Sequence, residues 1–401
     1  MTRLLAALLL VTAAVPGGVH ARQVSTFAPD TLLQPPGGPR IVLLGTPGEG
    51  VAALRLSVPM REGPAEAGAG QILRALALRR METLARPVGV RVSASRTPWG
   101  MAYAVEGAAA DFEYLAYLLR EAVAEPTVTG PDFGEARRRL RDDAAAAEET
   151  PGELLRSRLR AAAAPGLPPI DGTLATVDLL DPGLVRSVWR RSHQASAMTL
   201  VVSAPVVPEV VLAATRGLGA PEEDARGPLD APSPTSRPPD AETLRAYFGE
   251  AFSSMPIEDP RPQVAAILVA RHLQGAAVGF EMGVQLWELP DRWVLAVTGQ
   301  AYPRRSSAMR AAVSGAVPGT RDALDPAMVE QAVAQVRRDI MLRAQTAAGL
   351  VGVVGRAMEV GGDPLAAARS LESLSAVDLS GMRRYLDGLI RSGPVQAEVR
   401  P

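Results

Sequence analysis

The chain has no cysteine, no lysine and no asparagine, and only three histidines among its 401 residues. Without cysteine there is no disulfide, no thiol nucleophile and no thiolate metal site. Without lysine there is neither a Walker phosphate loop nor a Schiff-base amine. The histidines are His20, His193 and His272. His20 falls in the N-terminal leader described below, which leaves one histidine in each half. A multi-histidine zinc site within one mature chain is therefore excluded, while an all-carboxylate site for another ion stays open. Neither charge sign dominates: 42 basic residues, all arginine, face 43 acidic ones for a net charge of -1. A nucleic-acid footprint would need a basic surplus. The all-arginine usage, beside abundant Ala, Gly and Pro, reflects a GC-rich genome more simply than a function.

What is present is apolar material, 47% of the residues, enough for two domains each with its own core. The N-terminus carries Arg3, an apolar run from Leu4 to Val15, and Val19-His20-Ala21. The run is shorter than the ~20 residues of a membrane span, and small residues at 19 and 21 suit cleavage after Ala21. We expect a cleaved signal peptide over residues 1–21 and a periplasmic or secreted bacterial protein. No other stretch is long and apolar enough to span a bilayer. A second break, Pro/Asp-rich and without hydrophobic period, covers residues 219–241 and reads as a linker between domains at 30–218 and 242–401.

The two parts share a pattern. In the first, strands are expected at Arg40 to Leu44 and Val51 to Val58, then a helix from about Ala67 to Leu84 and a meander from Gly89 to Glu106. Helices follow at Ala110–Ala124, Asp132–Ala147, Gly152–Ala163 and Asp181–Ser192, then a strand at Thr199–Ser203 and one more helix at Pro208–Gly217. In the second, a helix is expected at Arg261–Gln274, strands around Asp291–Thr298, helices at Ser306–Ala312, Asp325–Ala348, Ala366–Ser373 and Leu379–Leu389, and a closing strand at Val395–Val399. Asp181-Pro182, Asp325-Pro326 and Asp363-Pro364 fit helix starts, with aspartate capping and proline in the first turn. This is a duplicated α+β arrangement.

Several segments, in order, resemble the insulinase/pitrilysin family of zinc peptidases. Gly50-Val51-Ala52-Ala53-Leu54-Arg55-Leu56-Ser57-Val58-Pro59-Met60 is similar to the strand before that family's metal motif, and Arg61 to Gly68 to the loop after it. Val90 to Val105 resembles its paired strands, Phe133 to Asp143 the helix of the third ligand, Ser187 to His193 a later helix, and Thr199-Leu200-Val201-Val202-Ser203 the closing strand. The resemblance covers most of the mature chain. It implies an α+β fold of two related α/β domains, each an antiparallel-rich sheet packed with helices, forming a clamshell.

In that register the inverted zinc motif, His-x-x-Glu-His, falls on Gln71, Ile72, Leu73, Arg74 and Ala75. Two histidines at i and i+4 share a helix face and bind the metal, and the glutamate is the base for its bound water. Here Gln71 is a poor neutral ligand, Ala75 cannot ligate, and Arg74 stays protonated and repels a dication. Asp142 or Asp143 stands about where the third ligand would be, one carbon short of glutamate. Two accounts of Arg74 follow. The plainer is a surface arginine on an amphipathic helix; the sharper pairs its guanidinium with Asp142 or Asp143 in place of the metal. The plainer account of Asp142-Asp143, after Arg137-Arg138-Arg139, is a mixed-charge helix face.

Active relatives also contribute an arginine and a tyrosine from the second domain, and the resemblance places Trp287 and Trp293 or Val294 there. Trp287 and Trp293 are candidates for a peptide-binding wall, with core packing as the alternative. The strand edge at Val92, Ser93 and Ala94 is a candidate for peptide binding by strand addition. His193, just before a strand, and His272, on a helix, read as structural, His193 as a capping or partly exposed residue. Gly349, Gly352, Gly355, Gly361 and Gly362 read as close packing followed by a turn, not as a nucleotide loop.

The resemblance thus implies no catalytic residue and no zinc or other cofactor here. It implies a non-catalytic subunit partnering an active family metallopeptidase as a heterodimer in proteolysis, as in two-subunit processing peptidases. The alternatives are a stand-alone peptide-binding or scaffold protein of the cell envelope, and a metallopeptidase with unusual ligands.

Overall fold

A computed structural model describes residues 27–45, 50–219, 228, 243–254, 256–276 and 279–401. The expected leader, and nearly all of the expected linker, lie outside the described residues.

The first sheet has six strands: β1 (Pro29–Leu33), β2 (Arg40–Leu44), β3 (Val51–Pro59), β4 (Arg91–Thr97), β5 (Gly100–Ala108) and β6 (Thr199–Ser203), in the spatial order β1-β2-β6-β3-β5-β4. The β2–β6 pair is parallel; the others are antiparallel. Its helices are α1 (Ala69–Ala85), α2 (Phe112–Val123), α3 (Pro131–Glu149), α4 (Pro151–Ala163), α5 (Leu174–Leu179), α6 (Pro182–Ser192) and α7 (Pro208–Ala214). The second sheet has β7 (Ala246–Ser254), β8 (Glu281–Glu288), β9 (Trp293–Ala301) and β10 (Val395–Val399), in the antiparallel order β10-β7-β9-β8. Around it lie α8 (Arg261–Ala276), α9 (Ser306–Ala323), α10 (Pro326–Arg343), α11 (Ala347–Gly361), α12 (Ala366–Ser375) and α13 (Leu379–Ser392).

The order β10-β7-β9-β8 repeats β6-β3-β5-β4, and in each set of four one helix lies between the two strands that come first in the chain and five between the two that come last. The molecule is an α+β clamshell of two related valves. Strand alternation explains how they close on each other. On β3, Ala52, Leu54, Leu56 and Val58 face the first core under α1, α2 and α6. Ala53, with Val42, Leu44 and Val201, faces the other way and joins the second half's core. That opposite face is covered by α11. Reciprocally, Leu154, Leu155 and Leu159 of α4 pack with Ala251, Val294, Ala296 and Val399 of the second sheet. Each half therefore lends one helix to the other's sheet.

Several boundaries differ from expectation. The helix expected over Asp325–Ala348 is two, because Thr346 accepts the Gly349 amide at 3.0 Å and starts α11. The helix expected to stop at Ala312 runs through Pro318 to Ala323, where burial of Val313, Ala316 and Val317 overrides local preference. Asp181 and Asp325 cap helices through Leu184 N and Met328 N, both at 2.8 Å. Asp363 does not: its carboxylate accepts from Leu365 N in a turn, and α12 starts after that. Gly355 does allow close packing, since a Cβ there would lie 2.5 Å from Arg55 Cδ.

Candidate functional site

α1 begins after a tight approach of two loops. Gly68 is left-handed (φ 96°), and a Cβ on it would sit 3.4 Å from Gly172 Cα. Gly172 (φ 72°) has even less room, 2.7 Å from Ala67 O. Glycine at both positions lets the loop after α4 lie against the start of α1. That contact puts Asp171 beside Gln71, whose Nε2 donates to Asp171 Oδ1 at 2.5 Å. Arg74 Nε in turn donates to Gln71 Oε1 at 2.7 Å. The motif positions therefore carry a hydrogen-bonded chain, Arg74 to Gln71 to Asp171.

The sharper account of Arg74, a pair with Asp142 or Asp143, does not hold. Asp142 and Asp143 are both exposed on α3, and no ion pair among the described residues joins either to Arg74. α3 does pack against α1, but it does so through Phe133, Ala136, Leu140 and Ala144, which turns Asp142 and Asp143 outward. Their helix carries exposed pairs of Arg138 and Arg139 with Glu135 and of Arg141 with Asp178, the mixed-charge face of the plainer account.

Beneath the start of α1 lies a polar layer that sequence reasoning missed. Glu62 pairs with Arg96 at 2.8 Å and accepts the Gly70 amide at 2.5 Å. Glu66 pairs with Arg191 at 2.7 Å and accepts the Gly63 amide. Both carboxylates are buried, at 4% and 1% side-chain exposure. Burial pushes the Glu62 carboxyl above its usual pKa, against the pull of Arg96.

His193 is wholly buried, not partly exposed as expected, although it does cap α6 through the bond from its amide to Trp189 O. Tyr103 Oη lies 3.1 Å from its Nε2 and Ser192 Oγ 2.9 Å from its Nδ1. The Ser192 hydroxyl donates to Val188 O at 2.7 Å, so Nδ1–H donates to Ser192 and Nε2 accepts from Tyr103. Burial lowers the imidazole pKa to about 3 and raises that of the Tyr103 hydroxyl. His272 lies in the other half, its Nε2 2.6 Å from where a Gly319 Cβ would be.

Zinc does not fit the motif residues. Both ends of the Gln71 amide are engaged, Arg74 brings a fixed positive charge, and Ala75 has no donor. No cluster of three or more His, Asp or Glu that could hold a metal occurs among the described residues.

Trp287 and Trp293 are core residues, 5% and 6% exposed, so neither ring forms an open peptide-binding wall. Trp287 Nε1 donates to Gln285 and Trp293 Nε1 to Ile257 O at 2.7 Å. Arg160, from α4, lies over the Trp287 ring at 5.1 Å. Val92, Ser93 and Ala94 do lie on an edge, because β4 ends its sheet. Ser93 is exposed, while Val92 and Ala94 lean on the first core. A pit of about 420 Å³ opens behind α1, between Leu76, Arg80, Glu121 and Pro126. No described helix is long and apolar enough to cross a membrane.

No family model and no curated protein matches the chain. Solved structures do. A protease from Helicobacter pylori superposes with TM-score 0.76 at 11% identity, covering 93% of this chain and 100% of that one. A chain of complex III2 from Candida albicans gives 0.71 at 12% identity, covering 92% and 95%. The chain has an insulinase/pitrilysin-like fold. The periplasmic protease PqqL from Escherichia coli gives 0.70 at 14% identity, covering 93% of this chain but 46% of PqqL, so this chain spans about half of that protein. At these identities the likeness establishes the fold alone.

Proposed function

We propose that this is an exported, non-catalytic protein of the insulinase/pitrilysin type that serves as a peptide-binding or structural subunit beside an active zinc metallopeptidase. The observation that carries the reading is the set of bonds at the motif: where a metal and its base would be needed, Arg74, Gln71 and Asp171 are bonded in a row, with both ends of the Gln71 amide engaged. Support for a partner comes from PqqL, of which the chain matches about half, and from the complex III2 chain. The free edge of β4, at Val92, Ser93 and Ala94, offers backbone donors and acceptors to an extended peptide. The signal-peptide pattern supports a periplasmic address.

The test is co-expression with a chain of the same fold that carries an intact His-x-x-Glu-His. A stable heterodimer whose peptide turnover exceeds that of the active chain alone supports the proposal. Separate elution with unchanged turnover refutes partnership, and zinc-dependent turnover by the isolated chain refutes the non-catalytic reading.

A further inference from the structure

Arg160 has an unusual setting. Its guanidinium lies over the ring of Trp287, 5.1 Å from the centroid, yet no hydrogen bond or ion pair from it occurs among the described residues. The ring beneath is fixed, since Trp287 is buried and its Nε1 donates to Gln285 Oε1 at 3.0 Å. An arginine stacked on an aromatic face keeps its N–H groups free at the edge of the stack, in the geometry that grips a carboxylate with two bonds. Arg160 also keeps an exposed edge. Desolvation lowers its pKa, with the field of Asp171 opposing.

Asp171 does not neutralise it. One Asp171 oxygen is held by Gln71, and no ion pair to Arg160 forms. Through Gln71 the same acid is tied to Arg74, whose terminal nitrogens make no hydrogen bond among the described residues. Glu153 nearby is taken up by Arg156 at 2.7 Å, so Asp171 alone stands against both Arg160 and Arg74, and positive charge is locally in excess. α1 packs against β4, and its Gln71 bonds Asp171, the acid whose field reaches Arg160.

We infer that Arg160, braced by Trp287, is the docking point for a carboxylate of a bound peptide, so that the preferred ligand is an extended segment with a free C-terminus or an acidic side chain. This rests on the peptide-binding reading above. The shared chemistry is the carboxylate, and the arms of the test separate its two sources.

Three fluorescein-labelled heptapeptides of alternating Val and Ser serve as probes: one with a free C-terminus, one amidated, and one amidated with a penultimate Glu. N-acetylglutamate is a fourth probe, followed by calorimetry. At low salt, one or both carboxylate peptides should bind about tenfold tighter than the neutral amide, the worth of a charge-assisted bond. Whichever binds tighter names the source. Arg160→Gln should abolish the preference. Arg138→Gln, which removes a residue paired with Glu135 at 3.1 Å on another helix, should leave it intact. Equal binding of all three peptides, or a preference that survives Arg160→Gln in a protein of unchanged melting profile, overturns the carboxylate site and leaves peptide binding standing. Arg160-dependent binding of N-acetylglutamate without binding of any peptide upholds the site and overturns the peptide reading. No binding of any probe overturns both.

Discussion

The two halves repeat one strand order but differ in what they bury. Beneath α1 the first half encloses two ion pairs, Glu62–Arg96 and Glu66–Arg191, and the hydrogen-bonded row Tyr103, His193 and Ser192. The second half buries Glu250, held by neutral donors on Ser314 and Gln396, and Asp259, paired with Arg261, and is largely apolar around α8 and α9. The exchanged helices invert the contrast. α4 meets the second sheet through leucines, whereas α11 meets the first with Glu359 bonded to Arg55 at 2.6 Å and Ser57 at 2.5 Å. Apolar contacts hold shape with little directional demand, while buried polar contacts specify one arrangement and are costly when half-made. The half that carries the degenerate motif is the half whose interior is specified in this second way.

The largest expected effect comes from His193. Its pKa is depressed from 6.5 to about 3 by burial, so the unfolded chain takes up the proton first as pH falls. The stability it contributes is complete above pH 6.5 and is lost progressively as pH falls toward 3. At about 1.4 kcal/mol per unit, that loss is on the order of 5 kcal/mol across the window. Urea unfolding at pH 7, 6, 5 and 4 of the protein and of His193→Gln should show curves that converge toward acid pH. Parallel curves would mean that the imidazole is not held neutral, and that the first half's interior resembles the second's.

The exchanged helices come next. Glu359→Ala leaves Arg55 buried beside Ser57 without its carboxylate, and breaking such a pair costs about 3–5 kcal/mol. Leu159→Ala at the apolar seam removes a fully buried side chain and should cost about 3 kcal/mol. The signatures should differ: adding Arg55→Met to Glu359→Ala removes the stranded guanidinium and should restore part of the loss, while the loss at Leu159→Ala has no such rescue. A double variant no more stable than Glu359→Ala would erase the distinction between the seams.

This contrast also marks what could be read in advance. β3 was legible because its residues alternate, and α6 and α10 because aspartate and proline mark their starts. Local pattern is a local cause. The exchange of α4 and α11 has no local cause: both are amphipathic helices, and which sheet each covers is settled by packing. β7 was missed because its Gly249, Glu250 and Ala251 weaken a strand pattern that pairing on both sides, with β10 and β9, then overrules. The polar layer stayed hidden since Glu62, Glu66, Arg96 and Arg191 read as surface charge, and only the fold brings opposite charges together in the dark. At the motif, the loss of ligands was legible residue by residue, but the identity of Arg74's partner was not. It depended on two glycines, Gly68 and Gly172, drawing in a loop from a hundred residues away.

The smallest expected effect separates the surface chain from the buried layer beneath it. Asp142→Asn with Asp143→Asn, and separately Gln71→Ala, should each change unfolding free energy by no more than about 0.5 kcal/mol, as exposed substitutions do. Asp142 and Asp143 are exposed and make no ion pair among the described residues, and the Gln71–Asp171 bond is exposed to water that can replace it. A loss several times larger for the aspartates would mean that they hold Arg74 in solution after all. A large loss for Gln71→Ala would make the chain Arg74, Gln71, Asp171 part of the scaffold. If both changes are small, the polar groups at the old motif contribute little to stability while those underneath contribute much, and the surface row stays adjustable for recognition.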